Sequence, residues 1–274
     1  MPIQKIYFLI IATVLLFASC NSNDAARKQL VQARNLYENA QYGSAKQVLD
    51  ELKAQYPKDY NLQKDALHLM REIEREEQER NLTFCDSLLP ILQAEVDAMK
   101  SYFVFEKTEY DSEGRYTDKS WNPAIESGFI GIKTSVSESN DLVLTAVYRS
   151  AESVRYDRLK VSIPSGEYAE TQAIPFDGGA NYSFNDGAGN NYQIVTFQKG
   201  KDNGVVAFIY KYATEKITME YAGGVKQPAR ILSQKEKDAL IKTTDFASIL
   251  REVEQVKKEK EKAGKRIQYL QSKL

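Results

Sequence analysis

The sequence predicts an α+β chain. It starts with an N-terminal helical hairpin and a long helix, continues into an antiparallel sandwich- or barrel-like β module, and ends in a C-terminal heptad helix pairing back on the long helix. Three observations predict this. Apolar residues recur at helical spacing over residues 25–103. Near residue 102 that pattern gives way to β-branched and aromatic runs punctuated by Gly, Asn and Pro. From Ser233 onward a helical stripe returns.

The chain opens Met-Pro-Ile-Gln-Lys, continues as the apolar run Ile6–Phe17 and then reads Ala18-Ser19-Cys20. A short positive start, an apolar core and small residues before a cysteine form a secretory signal. A membrane span would need ~20 apolar residues. Phe17-Ala18-Ser19-Cys20 resembles the bacterial lipobox, with Phe17 where Leu is usual. The resemblance implies that residues 1–19 are a removed signal peptide and that Cys20 carries a thioether-linked diacylglycerol on its sulfur and an acyl chain on its new amine. Residues 20–24 would then be a tether. Each buried methylene contributes ~0.8 kcal/mol, so several acyl chains anchor stably where one does not. Asn21 is not the aspartate associated with inner-membrane retention, so the expected site is the cell envelope at the outer membrane. The periplasmic and surface faces both stay open. Asp24 is placed like the acidic tethers of Bacteroidota lipoproteins, which the chain resembles.

Leu30, Ala33, Leu36 and Tyr37 mark one helix, and Ala45, Val48, Leu49 and Leu52 a second. Gln41-Tyr42-Gly43-Ser44 is the expected break, with Ser44 as N-cap and Pro57 closing the hairpin. Ala33, Leu36, Ala45, Leu49 and Pro57 resemble the small, large, small, large and proline positions of one tetratricopeptide repeat. A single unit implies a packed hairpin rather than a peptide groove, which needs about three.

The arm at 62–103 carries Leu62, Ala66, Leu69 and Ile73, then Leu82, Cys85, Leu88, Leu89, Leu92, Val96 and Met99. Arg71–Arg80 is densely charged, with opposite charges three and four apart worth ~0.2–0.5 kcal/mol each, and reads as a solvated face. Pro90 should kink or restart the helix. Cys85 falls on the apolar stripe, which makes it a core thiol. His68, the only histidine, reads as a surface or half-buried helix position.

Residues 104–232 form the expected β-rich domain. Candidate strands are Gly128–Val136, Leu142–Arg149, Arg158–Ile163, Tyr192–Lys199, Val205–Tyr212 and Lys216–Tyr221. Those near Val143 and Val206, apolar on both faces, should be central. Asn203-Gly204 between two apolar runs predicts a type I′ hairpin, because that turn needs positive φ at both central residues. Asn185–Asn190 invites a calcium reading. Calcium takes six to eight oxygens, several from carboxylates, and one Asp186 makes a plain hairpin loop the better reading. Trp121, Tyr148, Tyr192 and Tyr210 are candidates for a ligand platform, weighed against core packing, since Tyr is a favoured strand residue.

Ser233-Gln234-Lys235-Glu236 has capping-box form. Residues 233–274 should be one long helix packing on 62–103, with a break at Thr243-Thr244-Asp245. Phe246, Ile249, Val253, Val256, Lys260, Ala263, Ile267, Leu270 and Leu274 follow as a heptad seam. The partner is either a second copy of this chain or the arm at 62–103. The arm is favoured, with Glu74, Glu76 and Glu77 facing Lys260.

Composition narrows the function. Net charge is −1, which gives no electrostatic case for nucleic acid. With Cys20 lipidated, Cys85 has no thiol partner. No phosphate loop and no Cys/His metal spacing occurs in the sequence, and a single histidine argues against most nucleophile–histidine systems. The expectation is a non-catalytic, lipid-anchored envelope protein presenting a β module on a helical stalk to a protein or glycan, without cofactor or metal. The alternatives are a carbohydrate-binding accessory lipoprotein of a glycan-uptake system and a coiled-coil assembly scaffold. Oligomeric state stays open.

Overall fold

A computed structural model describes residues 24–107, 109, 113–125 and 128–274. Cys20 and the lipobox lie outside the described residues. The chain is α+β, as the periodicities predict, with two antiparallel sheets and a C-terminal helix packed on the long helix. It divides into two compact units, Met1–Leu89 with Val256–Leu274, and Pro90–Gln255. The division passes through the two long helices.

In the first unit, α1 (24–38) and α2 (Tyr42–Gln55) form the expected hairpin. Ala33, Ala45 and Leu49 are fully buried, so the small residues stand where the helices cross closely. The break falls earlier than Gln41–Ser44, and Tyr42, Gly43 and Ser44 are already helical. Ala40 takes a left-handed φ of 57°. Its N–H bonds Tyr37 O at 2.8 Å and that of Gln41 bonds Leu36 O at 2.8 Å. These two bonds are the Schellman pattern, which stops a helix by satisfying its last carbonyls.

α3 (Tyr60–Lys100) begins at Asp59, whose Oδ1 accepts the Leu62 N–H at 3.1 Å. It runs through Pro90 as one helix, without the restart that proline could impose. The C-terminal part of α5 (Gln234–Gln271) lies antiparallel to α3. Arg71 donates to Lys273 O at 2.9 Å, Arg266 pairs with Glu74, and Lys260 pairs with Asp86 at 2.6 Å. The register therefore sets Lys260 opposite Asp86, not Glu74, Glu76 or Glu77. Nor is the Arg71–Arg80 run a solvated face, since nearly all of it is half-buried. Glu77 reaches α2 through Lys46 at 2.8 Å while Glu74 reaches α5, so α3 is charged towards helices on two sides.

In the second unit one sheet has the order β1-β2-β3-β4-β8-β7 and the other β10-β9-β5-β6, with every pairing antiparallel. The strands are β1 (Phe103–Glu106), β2 (Arg115–Asp118), β3 (Gly131–Ser137), β4 (Leu142–Ser150), β5 (Arg158–Ser162), β6 (Tyr168–Glu170), β7 (Asn181–Asn185), β8 (Asn191–Phe197), β9 (Thr218–Ala222) and β10 (Ala229–Ile231). Five candidate strands map onto β3, β4, β5, β8 and β9. The sixth does not, because Val205–Lys211 is helix α4. Asn203 and Gly204 do have positive φ, 47° and 85°, but the turn they make opens a helix, with Phe208 N–H bonding Gly204 O at 2.9 Å. Val205, Val206 and Ile209 are all buried there, and a short apolar run does not distinguish helix from strand by pattern.

One core joins Ile132, Leu144, Val195 and Phe197 of the first sheet to Leu159, Val161, Met219 and Tyr221 of the second, with α4 and Leu240 of α5. Two buried tyrosines close it: Tyr156 donates to Ala146 O at 2.8 Å and Tyr221 to Val147 O at 2.9 Å. α5 is unbroken at Thr243-Thr244-Asp245. Thr243 and Thr244 donate their hydroxyls to Ala239 O at 2.7 Å and Leu240 O at 2.8 Å, one turn back in the helix, so neither hydroxyl is left unsatisfied.

Candidate ligand cleft on the six-stranded sheet

Side chains alternate between the two faces of a strand, so register assigns each residue a side. Ile132, Leu144, Ala146 and Val195 face the shared core. The residues between them, Lys133, Ser135, Thr145 and Thr196, stand on the other face. There Thr117 pairs across with Ser135, Lys133 with Thr145, and Thr145 with Thr196. The result is a grid of four hydroxyls and an ammonium spread over β2, β3, β4 and β8. It floors a cleft of about 780 Å³, also lined by Arg115, Glu106, Ile194 and Tyr182.

The chain holds this floor rigidly from behind. Glu236, whose side chain is fully buried, accepts Ile132 N–H at 3.1 Å and two bonds from Arg230, at 2.6 and 2.9 Å. Trp121 Nε1 donates to Ile132 O at 3.1 Å, so β3 is pinned at both backbone groups of one residue. Gly131 is required beside this knot, since a Cβ there would lie 2.3 Å from Glu236 Oε1 and 2.6 Å from the Arg230 guanidinium.

Among the described residues, cations outnumber carboxylates along the cleft, with Arg115, Lys133 and Lys107 against Glu106. Lys107 is neutralised by Glu138 at 2.8 Å, and that bond holds the Glu138 carboxyl below the usual carboxylate range. Glu106, the cross-strand neighbour of Arg115, accepts from Asn122 at 3.1 Å instead. Arg115 is half-buried and has no ion pair among the described residues.

The residues singled out from sequence do not make a joint platform. Tyr148 and Arg149 are adjacent, and Tyr192 pairs with Arg149, so Tyr148 and Tyr192 leave the sheet on opposite faces. Tyr148 packs on Tyr221 in the shared core, with ring centroids 4.8 Å apart. Tyr192 is 1% exposed and stacks on Phe184 at 4.9 Å. Tyr210 lies on α4, donating to Asp245 Oδ1 at 3.0 Å, a bond that raises its pKa. Trp121 is half-buried against Phe129, centroids 5.8 Å apart. The β propensity that makes Tyr frequent in strands places Tyr148 and Tyr192 in packing roles.

No family model, no curated protein and no solved structure matches this chain.

The remaining motifs resolve locally. Asp186 caps its own loop, accepting from Ala188 N at 2.9 Å, Asn190 N at 3.0 Å and Asn190 Nδ2 at 2.8 Å. Those bonds close residues 186–190 as the loop of the β7–β8 hairpin. Among the described residues no group of three or more His, Cys, Asp or Glu could hold a metal, and no helix is long and apolar enough to cross a membrane. Cys85 is buried with its thiol 3.9 Å from Asn81, and His68 stands half-exposed 3.3 Å from Glu72. Sequence reasoning missed the hydroxyl grid. Its signal was the polar alternation Lys133, Ser135, Ser137 opposite Ile132 and Val136 in the same strand.

Proposed function

We propose that this chain is a non-catalytic binding protein of the bacterial cell envelope, akin to Bacteroidota lipoproteins. In this reading acyl chains on Cys20 hold it at the outer membrane, and the open face of the six-stranded sheet takes its partner. The observation that carries the reading is the cleft, a roomy concavity of hydroxyls and cations over a strand floor pinned from behind. Natural ligand sites occupy roughly 300–1,000 Å³ and are mostly pre-formed. Glu106 is the one carboxylate among the described cleft residues, and Asn122 already engages it, which favours binding over acid–base chemistry. The seam of α5 is packed on α3 of the same chain, with Val253, Ala263 and Leu270 buried, which favours a binder over a coiled-coil scaffold.

The test is capture of cell-envelope components by the tagged full chain and by Thr145→Arg, which fills the cleft from its centre. A partner held by the natural chain and lost by an equally stable Thr145→Arg supports the reading. A partner held equally by both contradicts it.

A further inference from the structure

We infer that the cleft takes an anionic saccharide, its carboxylate or sulfate meeting Arg115 and its hydroxyls meeting the Ser/Thr grid. This rests on the open face being the binding surface. Three features of the cleft point to that chemistry. Arg115 is a half-buried guanidinium with no ion pair among the described residues, at the end of the cleft beside Glu106. A guanidinium presents donors in a fork that matches carboxylate and sulfate oxygens. Thr145 and Thr196, both half-buried, supply hydroxyls that donate and accept, which suits a ligand whose own groups do the same, while Thr117 and Ser135 beside them are buried. Tyr182, half-buried and packed against its cross-strand neighbour Ile194, gives the far end an apolar wall for the carbon face of a ring.

The dimensions agree. β2 and β8 are separated by β3 and β4 in the sheet, and strands lie about 4.8 Å apart, so the grid spans roughly 14 Å. That is long enough for more than one sugar ring. An oligosaccharide laid across the strands would meet the cation at one end and the apolar wall at the other.

The test uses the full chain on an array of uronate-, sialate- and sulfate-bearing glycans, each beside its uncharged counterpart. The affinity of the retained glycan is then measured for the natural chain, Arg115→Met, Arg115→Lys and Thr196→Val. The expected result is retention of an acidic glycan over its neutral counterpart, with binding weakening as salt rises. Arg115→Met should lose roughly ten- to a hundredfold in affinity, with Arg115→Lys recovering part of it. Unchanged thermal unfolding of each variant keeps a folding defect from imitating the loss. Retention of neutral glycans alone, lost on Thr196→Val, overturns the anionic inference and leaves the open-face reading standing. An acidic glycan whose affinity neither Arg115→Met nor Thr196→Val alters overturns both.

Discussion

Arg230 grips Glu236 through two nitrogens at 2.6 and 2.9 Å, and the same carboxylate accepts the Ser233 N–H at 2.8 Å and the Ser233 hydroxyl at 2.7 Å. A capping box, a strand backbone and a salt bridge thus converge on one buried side chain. Breaking a buried pair from one side leaves an uncompensated charge and costs about 3–5 kcal/mol. Glu236→Ala should lower stability by that amount in urea unfolding. Gly131→Ala should cost about 1–3 kcal/mol from overpacking against the same carboxylate. Unfolding midpoints equal to that of the natural chain would refute the knot.

Part of this was legible in sequence. Ser233 and Glu236 stand at capping-box spacing, and local spacing is what a sequence displays. Arg230 and Gly131 carried no such signal, because their need arises only when β10 and β3 meet the start of α5. The seam from Phe246 to Leu270 was legible for the same local reason, whereas its register was not. Facing charges are set by where two helices cross, so Lys260 met Asp86. The cleft was the least legible. Thr145 and Thr196 are neighbours only because β8 pairs with β4 across an intervening excursion of three strands.

Ala40 sits at the left-handed helix stop with a Cβ that this conformation disfavours. Ala40→Gly should raise stability by about 1 kcal/mol, measured by thermal unfolding. A lower Tm would show that the stop is not as described.

Gln193 bridges buried groups beside Tyr156 in the shared core. Its amide donates to Tyr156 O at 2.7 Å and Asn181 Oδ1 at 2.9 Å, and its Oε1 accepts Tyr156 N–H at 3.2 Å. Gln193→Met keeps the volume and orphans the Tyr156 N–H and Asn181 Oδ1, at about 1–3 kcal/mol for each left unpaired, while Tyr156 O keeps the Asn181 Nδ2 at 3.2 Å. A chain as stable as the natural one would mean that water or another partner replaces the amide.

The Asp186 carboxyl is held below its usual range, first by the Asn190 side chain and then by backbone N–H groups of the loop. A carboxyl depressed on folding contributes stability that is complete above its ordinary value of ~3.9 and is lost as pH falls through the folded value. Carboxyl NMR should place Asp186 below a model aspartate, and Asn190→Ala should move it up. A titration unaffected by Asn190→Ala would show that the Asn190 side chain does not hold the carboxyl down.

Labelled palmitate should enter the chain in growing cells, and Cys20→Ser should abolish both the label and sedimentation with membranes. Label persisting in Cys20→Ser would move the anchor elsewhere.

Partner capture on the open sheet face is tested most directly by a photo-crosslinking residue placed at Thr196 in the cleft. The control site is Lys235, exposed on α5 at the opposite side of the same sheet. Irradiated cells should yield a crosslinked adduct from position 196 and none from 235. Adducts from 235 alone, or from neither, would contradict the assignment of the cleft as the binding site.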